Sequence, residues 1–135
     1  MQASLEIAVR GQSSPDYHLA ITLTNSSAEA LTTYEHALPW VGHNSMLLVA
    51  VKTDAVGTIL EKVSPVDDPG PATVTIQPGQ TSAGKIPLVS RFPGFLEALA
   101  EREVIVFWSY QFQPVGLAPL PRMAGYVLFA KSTKE

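Results

Sequence analysis

Apolar and polar residues alternate with a period of two along most of the chain, in strand-length runs punctuated by proline and glycine. The clearest run is Glu103 to Pro114, where Val104, Val106, Trp108, Tyr110 and Phe112 fall on one face of an extended strand. Ile105 and Phe107 give its other face apolar character as well, which predicts a strand in a sandwich interior with Trp108 buried. Leu5, Ile7 and Val9 alternate with Glu6, Ala8 and Arg10, and Tyr17, Leu19, Ile21 and Leu23 alternate with His18, Ala20, Thr22 and Thr24. These two runs predict half-buried strands, the second ending at the turn-forming Asn25-Ser26-Ser27, with His18 on the solvent side.

Ala30 to Ala37 is expected to return antiparallel to that second strand, before Leu38-Pro39-Trp40-Val41-Gly42 breaks the ladder by removing a donor. Met46 to Lys52 is nearly continuous in apolar residues and suits a central strand. Asp54-Ala55-Val56-Gly57 then turns into a further expected strand over Thr58 to Val63. Three prolines between Ser64 and Pro71 remove amide donors and fix dihedrals, so that segment reads as a surface loop. Ala72 to Ile76 and Thr81 to Leu88 flank the turn Pro78-Gly79-Gln80, and Phe92 to Arg102 holds the one short helix. A second proline-containing loop runs from Pro114 to Gly125, and Tyr126 to Lys131 makes the last strand. Eight or nine short strands with one helix predict an all-β fold of two packed antiparallel sheets with Greek-key connections.

Composition narrows the picture further. The 135 residues suit one domain over positions 1 to 135, with 46% hydrophobic and 16% charged residues, a balance that excludes disorder over most of the length. No repeat, low-complexity tract or linker divides it. There is no cysteine, so neither a disulfide framework nor a thiolate metal site can form. The nine basic residues are scattered and the formal net charge is -3, which argues against nucleic acid as a partner, since phosphate binding concentrates positive charge. No apolar run approaches the roughly 20 residues that span a bilayer, so no membrane partner is expected. The first residues lack a basic start and a long apolar core, and cytoplasm is the simplest address; a secreted or periplasmic origin stays open if a leader was removed.

Candidate chemistry is sparse. His36 and His43 lie near Glu35 and could join Asp67 or Asp68 in a metal site of imidazole and carboxylate ligands, but the spacing matches no compact ligand motif. Asp67 and Asp68 are neighbours in an extended segment and point to opposite sides, which suits a solvated turn. Glu97 and Glu101 would share one helical face, where two like charges repel and solvent is their natural partner. No serine sits in Gly-x-Ser-x-Gly, and Gly84-Lys85-Ile86 is not a phosphate loop. Asn25-Ser26-Ser27 formally matches a glycosylation acceptor, although its turn role suffices. No metal, cofactor or catalytic residue is therefore expected.

Ile21-Thr22-Leu23-Thr24-Asn25-Ser26, Leu38-Pro39-Trp40-Val41-Gly42 and Pro78-Gly79-Gln80-Thr81 occur in that order. Their arrangement resembles the amino-terminal β-sandwich domain that precedes catalysis in some bacterial deuterolysin-like metalloendopeptidases. The resemblance spans Ala20 to Tyr110 and implies an immunoglobulin-like accessory domain. His-Glu-x-x-His is absent, so it implies no peptidase activity and assigns no functional residue here.

These features lead to an expectation of a non-catalytic β-sandwich protein that engages another protein through its loops. Trp40 and His43 on one loop, and Leu117 and Leu120 on the Pro114 to Pro121 loop, are the expected partner-binding residues, since an aromatic on a loop can bury much area at small entropy cost. Closure of the sandwich end by Trp40, and capping of the core by Leu117 and Leu120, are the packing alternatives. An inhibitor or immunity-type protein that blocks an enzyme is the second functional reading, and a small metal-dependent hydrolase the third.

Overall fold

The structure, a computed structural model, describes residues 3–42, 44–63 and 70–132. In chain order its strands are β1 (Leu5–Gln12), β2 (His18–Asn25), β3 (Leu31–Tyr34), β4 (Met46–Lys52), β5 (Thr73–Ile76), β6 (Thr81–Pro87), β7 (Val104–Tyr110) and β8 (Met123–Phe129). A 3-10 turn at Glu35–Ala37 and two short helices, α1 (Leu88–Arg91) and α2 (Phe95–Glu101), complete the described elements. The fold is mainly β, as the alternation predicts. No helix among the described residues is long and apolar enough to cross a membrane.

Pairing is antiparallel throughout and divides the strands into three sheets, ordered β1-β2-β6, β3-β5 and β4-β7-β8. In β2 the residues Leu19, Ile21 and Leu23 are fully buried, and the inward positions of β7, Val104, Val106 and Tyr110, match them in a single apolar cluster. Alternation within each central strand thus aims one face of each three-stranded sheet at a common core. The helical segment adds Phe92, Phe95 and Leu99 to it. In α2, Phe95, Ala98 and Leu99 occupy one helical stripe and are buried, while Leu96 and Glu97 face outward. Phe95 meets the Phe129 ring edge to face at 5.4 Å, and Tyr17 at 5.5 Å.

Several expectations need correction. Leu31–Tyr34 pairs with β5 and not with β2, whose two edges are already occupied by β1 and β6. Residues 58–63 form no strand: Ile59 makes one bridge to Val51. The preceding turn is as expected, held by Asp54, whose carboxylate accepts from the Thr58 hydroxyl at 2.6 Å and the Thr58 amide at 2.9 Å. Those two bonds, the hydroxyl first, hold the pKa of the Asp54 carboxyl below its ordinary value. His18 is buried where exposure was expected. Its Nδ1 donates to the Asp16 carbonyl at 2.8 Å, which holds the ring against the turn that leads into β2. Trp108 is half-buried instead of fully enclosed, because its neighbour across the ladder is Gly125, which offers backbone but no side chain to cover the ring.

One buried amide joins the first two sheets. Asn25, fully buried, donates from Nδ2 to the carbonyls of Glu29 (2.9 Å) and Ile76 (2.8 Å), and its Oδ1 accepts from the Ser27 amide at 2.8 Å. Its backbone carbonyl accepts from Gly79 at 2.7 Å, and Gly79 adopts φ +77°, a conformation that side chains other than glycine rarely tolerate. The end of β2, the turn after it and the end of β5 therefore share a single polar knot. We predict that Asn25→Ala, which strands two carbonyls and one amide in the interior, lowers stability by about 2–4 kcal/mol. Asn25→Asp should be nearly as costly at neutral pH, since a carboxylate cannot donate. Losses below about 1 kcal/mol for both variants in reversible urea titrations would show the knot to be incidental.

Candidate functional site

The two three-stranded sheets differ sharply on their outer faces. On β1-β2-β6 the outward positions include Glu6, Arg10, Thr22, Thr24, Thr81 and Lys85, and the Thr24 and Thr81 hydroxyls bond at 2.8 Å. That is the ordinary solvent face of an antiparallel sheet. On β4-β7-β8 the outward positions are Leu47, Val49 and Val51, then Ile105, Phe107 and Ser109, then Ala124, Tyr126 and Leu128. The sheet register sets Val49, Phe107 and Tyr126 side by side in its middle row. Leu47, Phe107, Tyr126 and Leu128 keep 50, 45, 67 and 51% of their surface exposed, so the face is apolar and open. The Phe107 and Tyr126 rings lie 6.2 Å apart, tilted against each other.

Period two creates this face inevitably. Every residue of β7 that turns Val104, Val106 or Tyr110 inward forces Ile105, Phe107 or Ser109 outward, and β7 is held in register by partners on both edges. In the sequence, Ile105 and Phe107 give β7 a second apolar face, which alone predicts a strand covered on both sides. The signal for exposure was the same alternation in the flanking strands, since Leu47 and Val49 of β4 and Tyr126 and Leu128 of β8 also sit opposite the core positions.

Charge is confined to the ends of the face. Arg122 lies just before β8 and donates from Nη1 to the outward Ser109 hydroxyl at 2.9 Å. At the far end, Glu103 continues the outward column of β7; its carbonyl accepts from the Thr53 amide at 3.0 Å, which keeps residue 103 within the ladder. Neither side chain has an ion-pair partner among the described residues, whereas the nearby Glu101 is taken by Lys52 at 3.1 Å.

The loop residues singled out from sequence are dispersed in role. Trp40 is half-buried against the core, and its ring lies so close over Gly84 that a methyl group there would collide with it. Leu120 is 9% exposed and belongs to the core, with its amide donating to the Phe112 carbonyl at 3.0 Å. Leu117, at the tip of the same loop, is half exposed. His43 lies outside the described residues, as do Asp67 and Asp68, so the proposed grouping with His36 has no described geometry. His36 itself stacks on Tyr34 at 5.5 Å. Among the described residues no three His, Asp or Glu side chains come together as metal ligands.

An open cleft of about 330 Å³ adjoins the Arg122 end of the apolar face, lined by His36, Asn44, Ser45, Gln111, Gln113 and Arg122. Its wall is anchored by Tyr110, whose hydroxyl donates to the Ala37 carbonyl at 2.6 Å. Burial raises the Tyr110 phenol above its ordinary value, because the phenolate would be poorly solvated there.

No family model matches the chain, and no curated protein matches it. Among solved structures, a crystal structure of a Bordetella pertussis protein assigned as ApaA is similar to it with a TM-score of 0.44 and 13% sequence identity, covering 98% of this chain and 96% of that one.

Tyr110 gives a pH prediction. The unfolded chain releases the phenolic proton near the ordinary value of about 10, whereas the folded chain holds it to higher pH, so folding stability is undiminished below about pH 10 and falls as pH rises beyond it. Tyr110→Phe should cost about 1–2 kcal/mol at neutral pH, from the unpaired Ala37 carbonyl, and should flatten the alkaline decline. Denaturation titrations from neutral to strongly alkaline pH check this, and an alkaline slope identical in the two proteins would contradict it.

Proposed function

We propose that this chain is a non-catalytic protein-interaction module whose docking surface is the outer face of β4-β7-β8. The observation that carries the reading is the row Val49–Phe107–Tyr126 with Leu47 and Leu128 beside it, large apolar side chains contiguous on a sheet face and open to solvent. Taking ordinary side-chain areas, the exposed parts of those five residues amount to roughly 500 Å², at the upper end of what soluble monomers show as a single patch. A rim of polar groups around an apolar centre with two aromatics has the composition of a protein-binding surface. An immunoglobulin-like Greek-key sandwich is part of the same proposal. Two three-stranded antiparallel sheets around one core support it, as do the non-sequential neighbours β2–β6 and β4–β7.

The loop end around Leu117 is a weaker surface, since Trp40 and Leu120 spend their apolar area on the core. Affinity purification from the native cells, with parent, Tyr126→Glu and Leu117→Ser baits, separates the two locations. Tyr126→Glu should lose the bound protein, by at least about tenfold, with an unchanged melting temperature, because a carboxylate cannot be desolvated at the centre of an apolar contact. Retention by Tyr126→Glu together with loss by Leu117→Ser would move the site to the loop end.

A further inference from the structure

We infer that the occupant of the β4-β7-β8 outer face is a second copy of this chain, packed sheet to sheet about a two-fold axis that crosses the strands at the Phe107 row. The inference rests on the reading of that face as a docking surface and adds the partner's identity.

The distribution of charge argues for self-pairing. Glu103 and Arg122 are the charged residues in the outward columns of β7 and β8 among the described residues, and they stand at opposite ends of the face, Glu103 beside a cleft that Glu101, Arg102 and Lys131 also line. Residue 103 lies two outward positions before Phe107, and the ladder places 122 two outward positions from Tyr126 in the other sense. A two-fold axis in the interface, perpendicular to β7 and level with Phe107 and Tyr126, reverses the strand direction of the copy. It therefore sets Glu103 of each chain over the Arg122 end of the other. The remaining offset is one strand spacing, about 4.8 Å, which an arginine side chain spans. The same operation places the aromatic row against its own image, and the apolar centre against an apolar centre.

An axis along the strands would instead oppose Glu103 to Glu103 and Arg122 to Arg122, a like-charge arrangement that disfavours it. Two ion pairs thus select one orientation, as expected of an isologous contact in which each residue meets a different residue of the partner. Aligned packing of two sheets about 10 Å apart is a standard solution for an apolar sheet face. The area also fits: roughly 500 Å² of apolar surface per chain, enlarged by the Ser109, Thr53, Glu103 and Arg122 rim, approaches the roughly 800 Å² per partner of a stable interface. At the Arg122 end the cleft beside Gln111 leaves room for the incoming carboxylate.

Sedimentation equilibrium from about 1 to about 200 μM, a span chosen to bracket moderate affinities, tests the pairing with parent and variants. The parent should approach twice the monomer mass with rising concentration. Phe107→Glu should remain monomeric. Glu103→Arg and Arg122→Glu, both outside the apolar centre, should each weaken the dimer about tenfold or more, and the double variant Glu103→Arg/Arg122→Glu should regain most of the loss. That rescue would not occur for residues with a merely local role. A dimer indifferent to all four variants would place the contact elsewhere and overturn the inference. A monomeric parent at the highest concentration would overturn it too, and a photo-crosslinking residue substituted at Phe107 in the native cells then decides what else falls. Adducts with a different protein would preserve the docking reading while excluding self-pairing, and an absence of adducts would overturn both.

Discussion

β7 is the strand on which the rest of the molecule depends, because it is paired along all seven residues to β4 on one side and β8 on the other. A strand fixed on both edges cannot slip or rotate without reversing every side chain. Its inward residues close the core against Leu19, Ile21 and Leu23, and Phe107 must then face away from the core with its neighbours in the adjoining strands. Burying Val104, Val106 and Tyr110 and presenting Phe107 are one event in the backbone. The stability of the fold and the character of its outer surface are therefore coupled through a single register.

A polar outer face would satisfy that register equally well, as β1-β2-β6 demonstrates with its threonines and charged residues. What distinguishes β4-β7-β8 is side-chain chemistry, not backbone geometry. Leu47, Val49, Phe107, Tyr126 and Leu128 contribute little to the core and retain nearly half or more of their surface exposed, so packing within the chain does not account for their size. Their burial against another sheet would release ordered water from a contiguous area, whereas isolated exposed leucines such as Leu96 on α2 gain no such cooperative contact.

The sequence made the strand class legible because the period-two signal is local: β1, β2, β4, β6 and β7 fall close to where alternation places them. The turn at Asp54 to Gly57 was equally readable, since Asp and Gly satisfy that backbone by themselves. Pairing partners were not. The affinity of β3 for β5, 43 residues distant between Thr32 and Thr75, depends on long-range geometry and on the Asn25 knot, neither of which a local window contains. For the same reason the loop sequence leaves Trp40 between a partner anchor and a cover for the sandwich end, and its seat over Gly84 depends on the β6 backbone lying beneath it. Leu120 likewise became a core residue through the Phe112 carbonyl. The apolar outer face was written in the sequence as double-sided alternation in β4 and β7, but alternation cannot tell whether a second apolar face is covered by the same chain or left open.

The central claim is that the face around Phe107 is open in the isolated chain and covered in its assembled form. Hydroxyl-radical footprinting with mass-spectrometric readout measures this directly, with Leu96, exposed on α2, as the internal reference. The account predicts that Phe107 and Tyr126 are oxidised readily in dilute solution and become protected, relative to Leu96, as protein concentration rises. Rates for Phe107 and Tyr126 that stay low in dilute solution would contradict the open face, and rates that stay high at every concentration would contradict its coverage by a second copy.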